Sequence, residues 1–243
     1  MQSVGSEDAY AQLRRCATWI FDLDNTLYPC TIGLFRQMDE RMRAYIAAFL
    51  GMDEAAAFAL QKDYFHTYGT SLRGLMNHHQ MDPAPFLADV HDIDLSLLEA
   101  DVVLEQALRQ LSGRKLIFTN ATTRHAERVL DRLGIGHHFT GIFDIVAADY
   151  RPKPTLAAYH ALIDQFGIDP RDAVMVEDMA LNLRPAAELG MTTVWVRTLS
   201  EHGQMGSDGD HIHHVADDLR DWLQAVTAVT VASGQDTADG SVD

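Results

Sequence analysis

Cysteine is scarce in this chain. Cys16 and Cys30 are the only two in 243 residues, which excludes a disulfide framework. Long apolar runs are missing as well, and nothing approaches the roughly 18 consecutive apolar residues that a membrane-spanning helix needs. Met1 to Gln12 is polar and acidic and lacks the basic-then-apolar pattern of a secretory leader, so a cytoplasmic protein is the expectation. Positive charge is also in short supply: 19 Lys and Arg face 35 Asp and Glu, a formal charge of −16. No local run of Lys and Arg offsets this, which argues against nucleic-acid polymers and anionic membranes as partners. A small anionic substrate stays open, provided that a local cation holds it.

What is present is an ordinary globular composition, 47% hydrophobic, enough to bury a core. No internal repeat or low-complexity block interrupts it. Short apolar runs at Ala17–Phe21, Lys115–Thr119, Ala173–Val176 and Thr192–Val196 read as buried strands. Helical patterns at Thr123–Leu133 and Thr155–Phe166 each end at a glycine, Gly134 and Gly167. Strands alternating with helices predict a Rossmann-like α/β core with a parallel sheet. Between about Thr31 and Leu98 the alternation stops. Apolar residues there recur at helical spacing up to Gly51. Asp53 is placed to cap a helix ending at Tyr68 and Gly69, a third helix covers Ser71 to about Gln80, and a fourth starts near Pro83. The expected organisation is a core of residues 13–30 and 99–228, an all-helical cap of 31–98 inserted after the first strand, and disordered tails at 1–12 and 229–243.

Polar groups sit at the ends of the predicted strands, where ligand sites lie in open α/β sheets. The first strand delivers Asp22-Leu23-Asp24-Asn25-Thr26, the second Thr119-Asn120, and the strand Ala173–Val176 delivers Glu177-Asp178, with Asn182 following. Lys153 stands between Pro152 and Pro154, which stiffen the backbone around it. Each signal alone has a bland reading, as a solvated turn, a helix cap or a surface charge. Together they are what phosphate-ester hydrolysis requires: a nucleophile, a proton donor, a hard cation and positive groups on the phosphoryl oxygens. Asp22 suits the nucleophile and Asp24 the acid/base. Asp22 with Asp178 suits a divalent metal, and Thr119 and Lys153 the transferring phosphate.

In order, these residues resemble the motifs of the haloacid dehalogenase superfamily over about residues 17–200. The resemblance implies Mg²⁺ held by Asp22, the backbone carbonyl of Asp24 and Asp178, with Glu177 and Asn182 close by. The carboxylate at position 24 favours phosphoryl chemistry over dehalogenation. One departure is Met179, where related motifs commonly carry serine. Phe21 to Pro29, Tyr64 to Gly74 in the cap and Phe118 to Ala121 further resemble the pyrimidine 5′-nucleotidase branch. That likeness implies a pyrimidine nucleoside monophosphate such as UMP or CMP as substrate for a monomer or homodimer. Phosphoglycolate or a sugar phosphate, and a non-catalytic binding module of the same fold, are the alternatives. Thr119, Asn120 and Lys153 are the expected substrate contacts in the core, and Tyr68 and Arg73 those in the cap, with Asn77 and His78 as further hydrogen-bonding candidates. His211 to His214 reads as part of a last strand rather than as a metal tract. His78 and His79 point too far apart on their helix to share an ion.

Overall fold

The computed structural model describes residues 7–228. The tail readings for 1–6 and 229–243 fall outside the described residues. Residues 7–12 correct the expectation of a disordered tail, because Glu7–Leu13 form a helix, α1. Two apolar residues anchor it: Leu13 is buried, and Tyr10 sets its ring edge-on to Trp222 at 6.4 Å.

Six parallel strands follow: β1 (Thr18–Phe21), β2 (Arg114–Phe118), β3 (Phe139–Phe143), β4 (Ala173–Glu177), β5 (Thr192–Val196) and β6 (His214–Ala216). They form one sheet in the order β3-β2-β1-β4-β5-β6. Sequence reading missed β3, where Thr140 and Gly141 interrupt the apolar run. An edge strand needs less burial, and its ladder to β2 carries a register shift at Lys115/Leu116. The two-residue period of strands divides the core into two layers. Trp19, Phe21, Ile117, Val174 and Val176 face one side of the sheet, and Ile20, Leu116, Phe118, Ala173 and Met175 the other.

After β1 the chain leaves the sheet for four helices: α2 (Leu34–Leu50), α3 (Glu54–Tyr68), α4 (Ser71–His79) and α5 (Pro83–Val90). Their ends follow the sequence signals. The Asp53 carboxylate accepts the Ala56 N–H at 2.9 Å, Gly51 and Gly69 close α2 and α3 in left-handed conformation, and Pro83 opens α5. Apolar residues of this insert, Leu34, Met38, Ile46, Leu75 and Phe86 among them, continue the cluster that contains Trp19 and Phe21. The insert thus shares a core with one face of the sheet.

The remaining helices are α6 (Val102–Gln110), α7 (Thr123–Leu133), α8 (Leu156–Phe166), α9 (Ala180–Glu188), α10 (Glu201–Gln204) and α11 (Leu219–Thr227). Helices α1, α6, α7 and α11 pack on the face shared with the cap, whereas α8 and α9 cover the other. No helix among the described residues is long and apolar enough to cross a membrane. Burial of both faces leaves the strand ends as the place where polar side chains gather.

Candidate active site

The C-terminal ends of β1, β2 and β4 lie side by side because β1 pairs with both of the others. Asp22 emerges just past β1, its backbone N–H still donating to Val176 O at 2.9 Å, and its side chain is buried. Three sequence-predicted residues converge on it. The buried Lys153 ammonium lies 2.6 Å from Asp22 Oδ1 and 2.6 Å from Glu177 Oε2, and donates to Phe118 O at 2.9 Å. Asp22, Glu177 and Asp178 offer carboxylate oxygens within 4.8 Å of one another, all buried.

Three carboxylates against one ammonium leave two formal negative charges in a buried site. The strain registers in the acids. Burial first, and then Glu177, push the Asp22 carboxyl up to about 7 although Lys153 pulls it down. Burial and the same neighbours push Asp178 well above the usual carboxylate range. Burial alone would lower the Lys153 ammonium, but Asp22 and Glu177 outweigh it and hold the group above its ordinary value. A hard divalent cation matches this donor set, all oxygen and short of positive charge. The residues present therefore fit Mg²⁺.

Thr26 was not singled out in the sequence, yet it ties the cluster together. Its hydroxyl lies 3.1 Å from Asp22 Oδ2 and 3.5 Å from Asp178 Oδ1, and it accepts the Asp178 N–H at 3.1 Å. Where related motifs commonly carry a serine, Met179 offers only its backbone N–H, to Glu177 Oε1 at 3.2 Å. The hydroxyl beside Asp178 comes instead from the β1 loop.

Asp24 has a separate environment. Tyr28 OH donates to its Oδ1 at 2.5 Å, and His125 Nε2 stands 2.8 Å from the same oxygen. Burial would raise the Asp24 carboxyl, but the His125 ring and the Tyr28 hydroxyl outweigh it and hold the group below its ordinary value. Neither Tyr28 nor His125 was foreseen. His125 sits in the first turn of α7, which the Thr122 hydroxyl caps by accepting the His125 N–H at 3.3 Å. Its ring is fully buried, stacks on His91 at 4.7 Å, and has no hydrogen-bond partner at Nδ1.

A family model for haloacid dehalogenase-like hydrolases matches residues 17–190, most of the chain and all of the strand ends just described. The chain belongs to the haloacid dehalogenase-like hydrolases. Phosphate metabolism protein 8 of Saccharomyces cerevisiae is 29% identical over 189 residues, 71% of this chain, and the match spans 59% of the yeast protein's length. Protein CbbY of Cereibacter sphaeroides is 26% identical over 192 residues, 72% of this chain and 81% of that protein. Among solved structures, a haloacid dehalogenase phosphatase from Thermococcus onnurineus superposes with a TM-score of 0.58 at 17% identity, over 86% of this chain and 96% of that one. The L-2-haloacid dehalogenase of Xanthobacter autotrophicus gives 0.56 at 16% identity, over 87% and 98%. At these identities the two structures speak for the fold alone.

Within this hydrolase fold the other predicted residues divide by position. Thr119 is buried, and its hydroxyl accepts the Ala121 N–H at 3.0 Å while its own proton stays available to a ligand. Asn120, an expected substrate contact, also has a structural use. Its amide receives the Lys153 N–H at 2.8 Å and donates to Lys153 O at 3.3 Å, so the side chain positions the lysine loop. Asn182 is buried at the start of α9, and its carbonyl accepts the Tyr159 hydroxyl.

In the cap, Tyr68 OH is 2.5 Å from His78 Nε2 and Tyr64 OH is 2.8 Å from His79 Nε2, so the two histidines serve different tyrosines. Gly69, next to Tyr68, meets the core directly: a Cβ there would lie 3.3 Å from Lys153 O. This contact brings the α3–α4 turn against the lysine loop. Arg73 is half-buried in the first turn of α4. Of the late histidines only His214 belongs to β6. His211 Nε2 pairs with Ala180 O at 2.9 Å and His213 Nδ1 with the Thr193 N–H at 3.0 Å, both structural uses.

Proposed function

We propose that this hydrolase is a Mg²⁺-dependent phosphomonoesterase that works through a phosphoaspartyl intermediate on Asp22, with pyrimidine nucleoside 5′-monophosphates as its substrates. The observation that carries the reading is the buried cluster of Asp22, Glu177 and Asp178 around Lys153, with Asp24 two residues beyond the nucleophile. Asp22, the backbone carbonyl of Asp24 and Asp178 are the residues to hold the cation. When bound, Mg²⁺ neutralises the acids and lets a phosphate dianion approach them.

The protein's own groups account for the remaining chemistry. Lys153 on Oδ1 and Thr26 on Oδ2 orient the Asp22 carboxylate. One Asp22 oxygen forms a bond to phosphorus as the bond from phosphorus to the ester oxygen breaks. The electron pair leaves on the alkoxide; the phosphate dianion beside Asp24 opposes the pull of His125 and Tyr28 and favours the protonated carboxyl, whose proton the alkoxide takes. A water molecule then attacks the aspartyl phosphate and gives a proton to Asp24, which releases inorganic phosphate and restores Asp22. The Thr119 hydroxyl donates to a phosphoryl oxygen, and the Lys153 ammonium turns its Asp22 bond toward one as the Asp22 oxygen becomes bonded to phosphorus.

The substrate class rests on the cap. The core groups address a phosphoryl group that every monoester shares, so discrimination falls to the α3–α4 region, which meets the lysine loop at Gly69. Its sequence from Tyr64 to Gly74 is the stretch that resembles the nucleotidase branch. Tyr68 offers a face for a base, and Arg73 a charged donor. The name of the yeast relative, a phosphate metabolism protein, agrees with phosphate chemistry. The direct test is phosphate release from UMP, CMP, AMP, phosphoglycolate and sugar phosphates, with Mg²⁺ and with excess chelator. Preference for UMP and CMP is the expected result. Equal or better turnover of the others removes the nucleotidase assignment, and no Mg²⁺-dependent release from any of them removes the phosphatase one.

A further inference from the structure

A second group of metal-ligating side chains lies at the opposite end of the sheet. Glu105 is on α6, and His137 and His138 form the turn that leads into β3. The Asp22 cluster sits past the C-terminal ends of the strands, whereas this turn precedes the N-terminal end of one. They lie at opposite ends of the parallel sheet, and β3 is its edge strand whereas β1 and β4 are central.

The geometry is that of a ready ligand set. Glu105 Oε1 is 3.4 Å from His138 Nε2 and 3.7 Å from His137 Nε2, and the three ligand atoms lie within 4.8 Å of one another. Bonds of about 2.0–2.1 Å in a tetrahedral site place ligand atoms about 3.4 Å apart, so little movement is required. The His138 side chain is only 9% exposed, yet its Nε2 is buried and makes no hydrogen bond. An imidazole nitrogen hidden from water and aimed at a carboxylate without bonding it is costly unless something else occupies the gap.

The surrounding charges leave room for an ion. Arg109 Nη1 lies 3.8 Å from the same Glu105 oxygen, but its side chain is 64% exposed and free to swing into solvent. The Lys115 ammonium also bears on His138, but it is already committed to Leu111 O at 2.6 Å and Gly113 O at 3.3 Å. His137 is 62% exposed, so the open coordination positions face water.

We propose that Glu105, His137 and His138 form a second metal site, specific for a borderline transition ion of the Zn²⁺ class. Two imidazoles and one carboxylate suit Zn²⁺, Co²⁺ or Ni²⁺ and suit Mg²⁺ poorly, whereas the all-carboxylate cluster at Asp22 has the reverse preference. The ion ties α6 to the turn that starts β3, an edge strand of the sheet. Its effect is on stability rather than on turnover, and the site stands independently of the phosphatase reading.

The test titrates ZnCl₂ into the full chain in saturating MgCl₂, for wild type, His137→Asn and Glu105→Gln, by calorimetry and by thermal melting. Wild type is expected to bind one more equivalent of Zn²⁺ than either variant. At a hundredfold excess over Kd, Zn²⁺ should raise the wild-type Tm by roughly 5 °C more than it raises that of the variants. Co²⁺ should give visible ligand-field bands in wild type that both variants lack. His137 is largely exposed, so its substitution leaves the fold intact, and melting without Zn²⁺ verifies this for each protein. Equal stoichiometry and equal Tm shifts in all three proteins would place the ions on other histidines and overturn the proposal.

Discussion

His125 Nε2 stands 2.8 Å from Asp24 Oδ1, and the ring that reaches across has no polar partner at its other nitrogen. The contact joins the loop after β1 to the first turn of α7. With Tyr28 donating to the same oxygen, it fixes the direction of the proposed acid. His125→Asn should therefore cut kcat/KM for alkyl phosphates, whose leaving group needs a proton, by about tenfold or more, a fraction of the ~10²–10⁴-fold that general acid catalysis supplies. On p-nitrophenyl phosphate, which leaves unaided, the loss should stay under about threefold. Similar losses on both substrates would make the ring a packing element only.

Asp22→Asn should lower turnover at least about a hundredfold and leave the fold in place, because an amide of nearly the same size is a poor nucleophile. Steady-state rates together with melting separate the two effects. Activity above about a hundredth of wild type would end the covalent mechanism.

Mg²⁺ binding should expel a proton near neutrality. Burial and Glu177 push the free Asp22 carboxyl up to about 7, so near neutrality it carries a proton that the cation must displace. Affinity should rise with pH through 7 and level off above about 8. Calorimetry in buffers of different ionisation enthalpy measures the release. Identical heats at pH 7 in every buffer would contradict a raised Asp22.

His91 provides a stability test of opposite sign. Burial and the nearby His125 push its ring down to about 4, so the unfolded chain, with an ordinary value of about 6.5, binds more protons between the two. Stability should fall as pH drops below about 6.5, a loss of about 2 kcal/mol by pH 5 from this group. The raised Asp22 and Asp178 act the other way, gaining on acidification. The diagnostic is therefore the difference between wild type and His91→Gln in urea unfolding at pH 7.5 and pH 5. A difference that stays constant across that range would refute the assignment.

Arg73→Ala should change the ranking among UMP, CMP, AMP and sugar phosphates. A lost charged hydrogen bond is worth about 1.5–3 kcal/mol, or roughly 10- to 150-fold in kcat/KM, for the preferred substrate. The effect on a simple aryl phosphate should be smaller. An unchanged ranking would assign Arg73 to the cap's own structure.

The residues that were legible in the sequence are those whose role follows from local position. Asp22, Thr119, Glu177 and Asp178 each end or follow a buried apolar run, and Lys153 stands between two prolines, so strand geometry alone places them together. The cap helices were legible for a similar reason, since Asp53, Gly51, Gly69 and Pro83 mark their ends locally. Thr26, Tyr28 and His125 carry no such mark. A threonine and a tyrosine after a strand read as loop, and a histidine in an amphipathic helix reads as surface or core. Only the 101-residue separation closed by the His125–Asp24 contact gives that residue its meaning. Asn120 shows the reverse: its place at a strand end was legible, but its two hydrogen bonds to the Lys153 backbone were not.

Pairing between β1 and β4 has a kinetic consequence. Thr26 and Asp178 touch across 152 residues of chain, and the cap, β2, β3 and α8 all lie between them. Loops of that length close late, because their entropy must be overcome before the contact returns anything. The carboxylate neighbours of Asp22 thus come together only when β4 has joined the sheet beside β1, and a chain without that pairing has no cluster of acids. A cation held at that cluster would bind only the finished sheet, and so would slow unfolding without helping the chain through the early steps of folding.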